Sequence, residues 1–188
     1  FDLLARCLDY SRRSEGAFDI TVGPLMKIWG FYKGSGRIPH RAEIRTALGR
    51  VGWRKIRLDA AARTVRFDAP VEIDPGGIGK GYAVSRMVHV LRSRGIASGF
   101  ITAGRSSMYA SGAPPQEPRG WRVEIPNPRD SRKAEFVCYL KNQSMATSGA
   151  TEKFFNVGGK TYTHIMDPRT GYPAEGMLQV SVVAPDAT

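Results

Sequence analysis

At 188 residues, with 41% hydrophobic and 24% charged side chains, the chain has a globular composition and length enough for one substantial domain or two small ones sharing a core. No apolar run approaches the roughly eighteen residues of a membrane-spanning helix, and two widely separated cysteines, Cys7 and Cys138, offer neither metal-ligand spacing nor a disulfide framework. A net charge of +11, from 28 Lys and Arg against 17 Asp and Glu, favours an anionic partner such as a nucleic acid, a phosphate-bearing small molecule or an acidic membrane surface. With no arginine-rich tract and no zinc-finger or RNP motif, nucleic acid is not the expected one.

Residues 2 to 14 place Leu3, Leu4, Cys7, Leu8 and Ser11 at helical spacing, with Arg12 and Arg13 in the last turn and Gly16 as the stop. Next, Gly16-Ala17-Phe18-Asp19-Ile20-Thr21 sets one acid between apolar neighbours, ahead of a short helix starting at Pro24. Burying such an acid is unfavourable unless its carboxylate accepts hydrogen bonds. Two roles are open for Asp19: cap of the following turn, or ligand contact. Lys33 to His40 reads as a glycine-rich polar connection and Arg41 to Gly49 as a helix with Ile44 and Leu48 inward. Lys55–Asp59 and Thr64–Asp68 alternate on either side of a turn at Ala60–Arg63 and predict a hairpin.

Val71-Glu72-Ile73 then runs into Asp74-Pro75-Gly76-Gly77-Ile78-Gly79-Lys80-Gly81, which opens a helix to about Arg94 with Val84, Met87, Val88 and Leu91 on one face and His89 off it. A strand, a glycine-rich loop and a helix can aim free backbone N–H groups and a helix dipole at a phosphate. The pattern is neither a Walker A sequence nor a full Rossmann fingerprint, so a plain tight turn stays open. Asp74 before the glycines and Lys80 within them place both charge signs beside exposed backbone, which suits a metal-bound pyrophosphate.

Strands are expected at Gly99–Gly104, Ser107–Gly112, Trp121–Ile125 and Glu135–Leu140, with Ser144–Gly149 leading onward. Gly158-Gly159 then joins Phe154-Phe155 to the alternating run Thr161–Ile165 as a hairpin. The tight turn Asp167-Pro168-Arg169-Thr170-Gly171 follows, so that His164, Asp167, Arg169 and Thr170 gather at one strand end. Here a simple hairpin with an Asx turn is the competing reading. An apolar strand-like run closes the chain at Leu178–Ala184. Helices early, strands late and one strand–Gly-loop–helix unit between them predict an α+β fold with a mainly antiparallel sheet.

Four blocks resemble the bacterial ApbE family of FAD:protein FMN transferases: Gly16–Leu25 with Trp29-Gly30-Phe31; Ile73–Val84; Ala146-Thr147-Ser148-Gly149; and Gly159–Pro173, closed by Ser181–Pro185. They stand in the family's order and cover residues 16 to 185. The resemblance implies one ApbE-like domain over residues 1–188, incomplete at both ends and built of two tightly joined subdomains. It further implies a transferase that cleaves FAD with Mg2+, links FMN by a phosphoester to a threonine of a target protein and releases AMP. By position, Ala17, Phe18 and Asp19 match flavin-nucleotide contacts, Asp74 and Lys80 match FAD-binding positions around the glycine loop, and Ile165 matches the contact after the histidine. The Gly77 carbonyl matches a backbone Mg2+ ligand. His164 is the implied general base for the acceptor hydroxyl, histidine being the side chain that titrates nearest neutrality, and Lys80 is the second catalytic candidate, neutralising a phosphate oxygen.

The implied partners are FAD and an acceptor protein with a Ser/Thr-Gly-Ala-Thr motif, and the implied location is periplasmic or membrane-anchored, through an anchor outside this chain. Two side-chain metal ligands of the family, an Asp and a Thr four residues apart, are expected beyond Thr188; Asp186 and Thr188 do not have that spacing. Where the family has an Ala/Gly-Gly-Asn type of turn, this chain reads Ala103-Gly104-Arg105-Ser106-Ser107. The bulk and charge of Arg105 raise an alternative, a catalytically degenerate ApbE-like protein that binds FAD. Ser148-Gly149-Ala150-Thr151 also resembles the acceptor motif itself, which makes Thr151 a candidate for self-flavinylation.

Overall fold

The computed structural model describes residues 1–104, 106–150 and 153–188. Its helices are α1 (Asp2–Arg13), α2 (Gly23–Ile28), α3 (Arg41–Leu48) and α4 (Gly79–Ser93). The strands are β1 (Ile56–Asp59), β2 (Thr64–Phe67), β3 (Gly99–Ala103), β4 (Ser107–Ser111), β5 (Trp121–Pro126), β6 (Ala134–Leu140), β7 (Gln143–Gly149), β8 (Phe154–Val157), β9 (Lys160–Thr163), β10 (Met166–Asp167), β11 (Tyr172–Pro173) and β12 (Gln179–Ala184). All described strand pairs are antiparallel, so the α+β architecture expected from the sequence is the one found. The chain divides into two compact units: residues 1–77 with 150–176, and residues 78–149 with 177–188. Arg105 and Thr151, on which the altered turn and self-flavinylation depend, lie outside the described residues.

In the first unit, α1 buries Cys7, Leu8 and Ser11, one side of its helical repeat, and carries Asp2 in its first turn and Arg12 and Arg13 in its last, both favourable to the helix dipole. Burial pushes the Cys7 thiol up to about 11, as expected of an inert core cysteine. Met26 of α2, Ile44 of α3, Trp29 and Phe31 form a core, against which Phe155 of β8 and Tyr162 of β9 pack. Those two rings stack with centroids 5.3 Å apart. Gly158 and Gly159 turn the hairpin with φ of +58° and +76°, the left-handed pair that a two-residue hairpin loop requires. The β1–β2 hairpin pairs Ile56 with Phe67 and Asp59 with Thr64.

The strand expected over Val71–Ile73 does not form. Among the described residues they find no partner strand; sitting between Pro70 and Pro75, the segment is held by the backbone bond from the Asp74 N–H to the Ile20 carbonyl at 2.7 Å, before a 3-10 turn at Pro75–Gly77.

In the second unit the sheet order is β12-β7-β4-β3. Neighbouring residues of a strand face opposite sides, and β4 uses both: Tyr109 packs with Val84 and Val88 of α4, while Ala110 packs with Met145 and with Val123 and Leu140 of the β5–β6 hairpin. Met87, expected on the buried face of α4, is instead 41% exposed; α4 buries the narrower stripe of Gly81, Val84 and Val88. Gly81 is there because a Cβ would come within 2.0 Å of the Ala187 carbonyl oxygen. No described helix is long and apolar enough to cross a membrane.

Candidate functional site

The Asp19 carboxylate has three donors within the chain. It is 6% exposed and accepts from the Thr21 N–H at 2.8 Å, the Thr21 hydroxyl at 2.7 Å and the Trp53 N–H at 2.8 Å. Thr21 Oγ1 in turn accepts from the Gly52 N–H at 2.7 Å. The side chain is thus a cap and a tie to the segment after α3, and the surface left to a ligand at this block is that of exposed Ala17 and half-buried Phe18.

Phe18 and Gly77 are brought together, since a Cβ on Gly77 would lie 3.3 Å from Phe18 Cε2. The backbone bond from Asp74 to Ile20 sets the 72–77 segment beside the same block. Asp74 itself is oriented from two sides: Oδ1 accepts from the Gly76 N–H at 2.7 Å, and Oδ2 accepts from the Tyr32 hydroxyl at 2.7 Å. Burial first, and the Asp74 carboxylate second, push the Tyr32 phenol well above its usual range, so Tyr32 stays a donor. Next to it, Glu72 joins Lys27 and Arg50 in ion pairs, and the Lys27 ammonium holds its carboxyl below the ordinary range. Gly23 gives the room for this approach: a Cβ there would meet the Glu72 carbonyl at 2.9 Å.

His164 follows β9 directly. Its backbone N–H donates to the Lys153 carbonyl at 3.0 Å, and its ring Nδ1 lies 3.1 Å from that same oxygen. A carbonyl can only accept, so this contact calls for a proton on Nδ1, the tautomer that leaves a lone pair on Nε2 whenever the ring is neutral. Ile165 is fixed by its carbonyl, which accepts from the Ala174 N–H at 2.7 Å. Beyond it, Asp167 is clamped by Arg169, with Nε to Oδ1 at 2.9 Å and Nη2 to Oδ2 at 3.0 Å. That guanidinium holds the Asp167 carboxyl below its usual range, against a smaller opposing effect of burial. The Arg169 side chain is therefore the partner of Asp167 within the turn, and the Arg169 N–H, donating to Oδ1 at 2.9 Å, closes the Asx turn of the competing reading.

Lys80 belongs to the second unit, in the first turn of α4, and its ammonium donates to the Ser106 hydroxyl. Ser106 also offers its carbonyl to the Thr147 N–H at 2.8 Å, which ties the turn after β3 to β7. Sequence reasoning missed both Ser106 and Tyr32 as partners of candidate residues. Ser106 could have been suspected from its place in the altered turn; nothing in the sequence points Tyr32 at Asp74. Among the described residues no group of three or more His, Cys, Asp or Glu side chains could enclose a metal ion. The Gly77 carbonyl, the expected backbone ligand, does not make a cation site on its own. In the second unit the Asp186 carboxylate accepts from the Ser85 hydroxyl and, at 3.0 Å, from the Thr188 N–H.

The antiparallel α+β fold is that of the flavin-transferase structures. The chain superposes on the ApbE protein of Thermotoga maritima with a TM-score of 0.90 at 36% identity, over 99% of this chain and 60% of that one. With the apo form of Pseudomonas stutzeri flavinyl transferase ApbE the TM-score is 0.85 at 29% identity, over 99% and 58%. The chain belongs to the ApbE family, whose model matches residues 1–188. It is 31% identical over 199 aligned positions to the FAD:protein FMN transferase of Salmonella typhimurium, 99% of this chain and 55% of that protein. The chain thus spans little more than half the length of the relatives it matches.

Proposed function

We propose that the chain is the nucleotide-handling part of an FAD:protein FMN transferase, acting on a threonine hydroxyl of an acceptor protein. The threonine oxygen bonds to the phosphorus of the FMN moiety while the bond from that phosphorus to the bridging pyrophosphate oxygen breaks, and AMP leaves with that oxygen and the electron pair. The hydroxyl proton passes to Nε2 of His164. The observation that carries this reading is the contact of His164 Nδ1 with the Lys153 carbonyl, which fixes the tautomer a base requires.

Phosphoryl transfer depends mostly on positioning and charge neutralisation, and the chain's own groups supply both. Asp74 is oriented by Tyr32 and Gly76, and the 76–77 backbone is exposed beside Phe18. The Lys80 ammonium has a hydroxyl partner, Ser106, that a phosphate oxygen can replace. A requirement for Mg2+, an acceptor with a Ser/Thr-Gly-Ala-Thr motif and a periplasmic or membrane-anchored location belong to this proposal by family resemblance.

The test is incubation with FAD, Mg2+ and an acceptor carrying the motif, read by the mass of covalent FMN and by AMP release. Both should appear and should fall on His164→Gln. Transfer undiminished in that variant would refute the role of His164; FAD held without AMP release would give the FAD-binding reading instead.

A further inference from the structure

The outer face of α4 sets apolar side chains in water between cations. Val84 and Val88 face the sheet at Tyr109, while Ala83, Met87, Val90 and Arg94 recur on the other side at the spacing of a single helical face. All four are exposed, Met87 at 41% and Val90 at 47%. Ile96, 44% exposed, joins them. The helix stops at Gly95, whose φ is +77°, and there the Ile96 N–H returns to the Leu91 carbonyl at 3.0 Å and the Gly95 N–H to the Arg92 carbonyl at 3.0 Å. Such a closing turn folds the residue after the glycine back toward the last turn of the helix.

The charge on this face has one sign. The sequence holds no Asp or Glu between Asp74 and Glu117. Arg86 and Arg94 stand on either side of Val90 around the helix, and among the described residues neither guanidinium has an ion-pair or hydrogen-bond partner. Arg92, by contrast, is drawn back to the Tyr109 hydroxyl at 2.9 Å. The Asp186 carboxylate lies on another flank, held by Ser85, which is about 200° of helical turn from Met87. In the β5–β6 hairpin and the loop before it, Glu117, Glu124 and Asp130 are taken up by Arg119, Arg122 and Arg132.

Exposed cations alone would suit any anion, so the apolar side chains among them decide the occupant. A nucleic acid offers its phosphates and sugars to such a face and gives Met87, Val90 and Ile96 nothing to bury against. A stable protein interface takes about 20–30 residues a side, and this stripe is far narrower. A bilayer surface meets both needs: its headgroup boundary takes up a few apolar side chains of a helix lying in its plane, and its anionic lipids attract arginines at the rim.

We propose that α4 docks on an anionic lipid surface, with Met87, Val90 and Ile96 inserted among the headgroups and Arg86 and Arg94 paired with lipid phosphates. This is attachment to a bilayer, not passage through it. The inference goes beyond the transferase reading and does not depend on it.

The experiment sediments the protein, without FAD, with vesicles of equal parts phosphatidylcholine and phosphatidylglycerol and with vesicles of phosphatidylcholine alone. The protein should pellet with the first and stay in solution with the second. R86Q/R94Q should weaken binding about thirtyfold, as for two cations removed at such a surface, and M87S/V90S about fivefold or more. The control R129Q/K133Q removes the same charge from the loop between β5 and β6 and should bind as the wild type does. Melting temperatures show whether each variant is folded; where M87S/V90S melts early, R86Q/R94Q decides. The proposal is overturned by no binding to the mixed vesicles, by equal binding to the neutral ones, by α4 variants that bind like the wild type, or by a control that loses as much as R86Q/R94Q, which would leave only net charge. Retention of a DNA duplex without vesicle binding, or self-association abolished by M87S/V90S, would give the face to nucleic acid or to a second copy instead. Because no turnover is read, failure of FMN transfer would refute the transferase reading and leave this result standing.

Discussion

Trp29 donates its indole N–H to the carbonyl of Gly171 at 2.9 Å, across 142 residues of chain. The indole is fully buried, and Gly171 takes a φ of +78° where a Cβ would meet Ile44 Cγ2 at 2.6 Å. The turn after His164 is thus locked onto the α2–α3 core. Trp29→Phe keeps most of the ring but leaves a buried carbonyl without its donor, and should lower stability by about 1–3 kcal/mol. Urea unfolding measures it; a loss under about 0.5 kcal/mol would mean that water or another donor replaces the bond.

Tyr32→Phe removes a single hydroxyl from Asp74. With Tyr32 half exposed, at 49%, stability should change little, while FAD binding should weaken about three- to tenfold, the worth of one hydrogen bond to a charged group. Titration calorimetry with FAD checks it, and unchanged affinity would remove Asp74 from the nucleotide contacts.

Gly36→Ala places a methyl into the Phe155 ring. Overpacking of that kind is expected to lower stability by about 1–3 kcal/mol. Thermal unfolding tests it; a variant as stable as the wild type would show that the ring moves aside.

Ser11 is fully buried in α1, and among the described residues its hydroxyl has no hydrogen-bond partner. Ser11→Ala removes an unsatisfied group and improves helix propensity, so the protein should gain up to about 1 kcal/mol. A measured loss would reveal a partner for the hydroxyl.

The Asp167 carboxyl is depressed by Arg169. A depressed carboxyl contributes stability above its unfolded value of about 3.9, and that contribution disappears as pH falls through the lower folded value. The turn is therefore at full strength at neutral pH and loosens only in strong acid. Arg169→Gln should raise the Asp167 midpoint toward the ordinary range in a carboxyl 13C NMR titration, at a stability change of only about 0–1 kcal/mol for so exposed a pair. A midpoint that does not move would discard the ion pair as its cause.

Local patterns in the sequence were enough for α1, the Gly158-Gly159 hairpin and the β5–β6 pair, because helical spacing, a glycine pair and alternation act over a few residues. The order of β12, β7, β4 and β3 was not legible, since it joins strands remote in sequence. The failed strand at Val71–Ile73 shows the same limit: its apolar residues suit a strand, yet a strand needs a neighbour, and the backbone bond there comes from Asp74. Met87 was misplaced because helical periodicity alone does not say how wide a stripe the sheet covers. In the candidate site, Asp74 and His164 could be named from their blocks, while their orientation by Tyr32 and by a backbone carbonyl exists only once the chain is folded.

The indole bond to Gly171 also governs the order of events at the ribosome. Trp29 is synthesised 142 residues before its acceptor, a wait of about seven to thirty seconds at roughly 5–20 residues per second. Until β8 and β9 are made, α2 and α3 lack the Phe155 and Tyr162 rings that cover their core, while residues 78–149 emerge and build β3 to β7. The nascent chain thus carries an uncovered tryptophan until Gly171 has been made, and this is when a chaperone that grips exposed aromatic segments has most to hold.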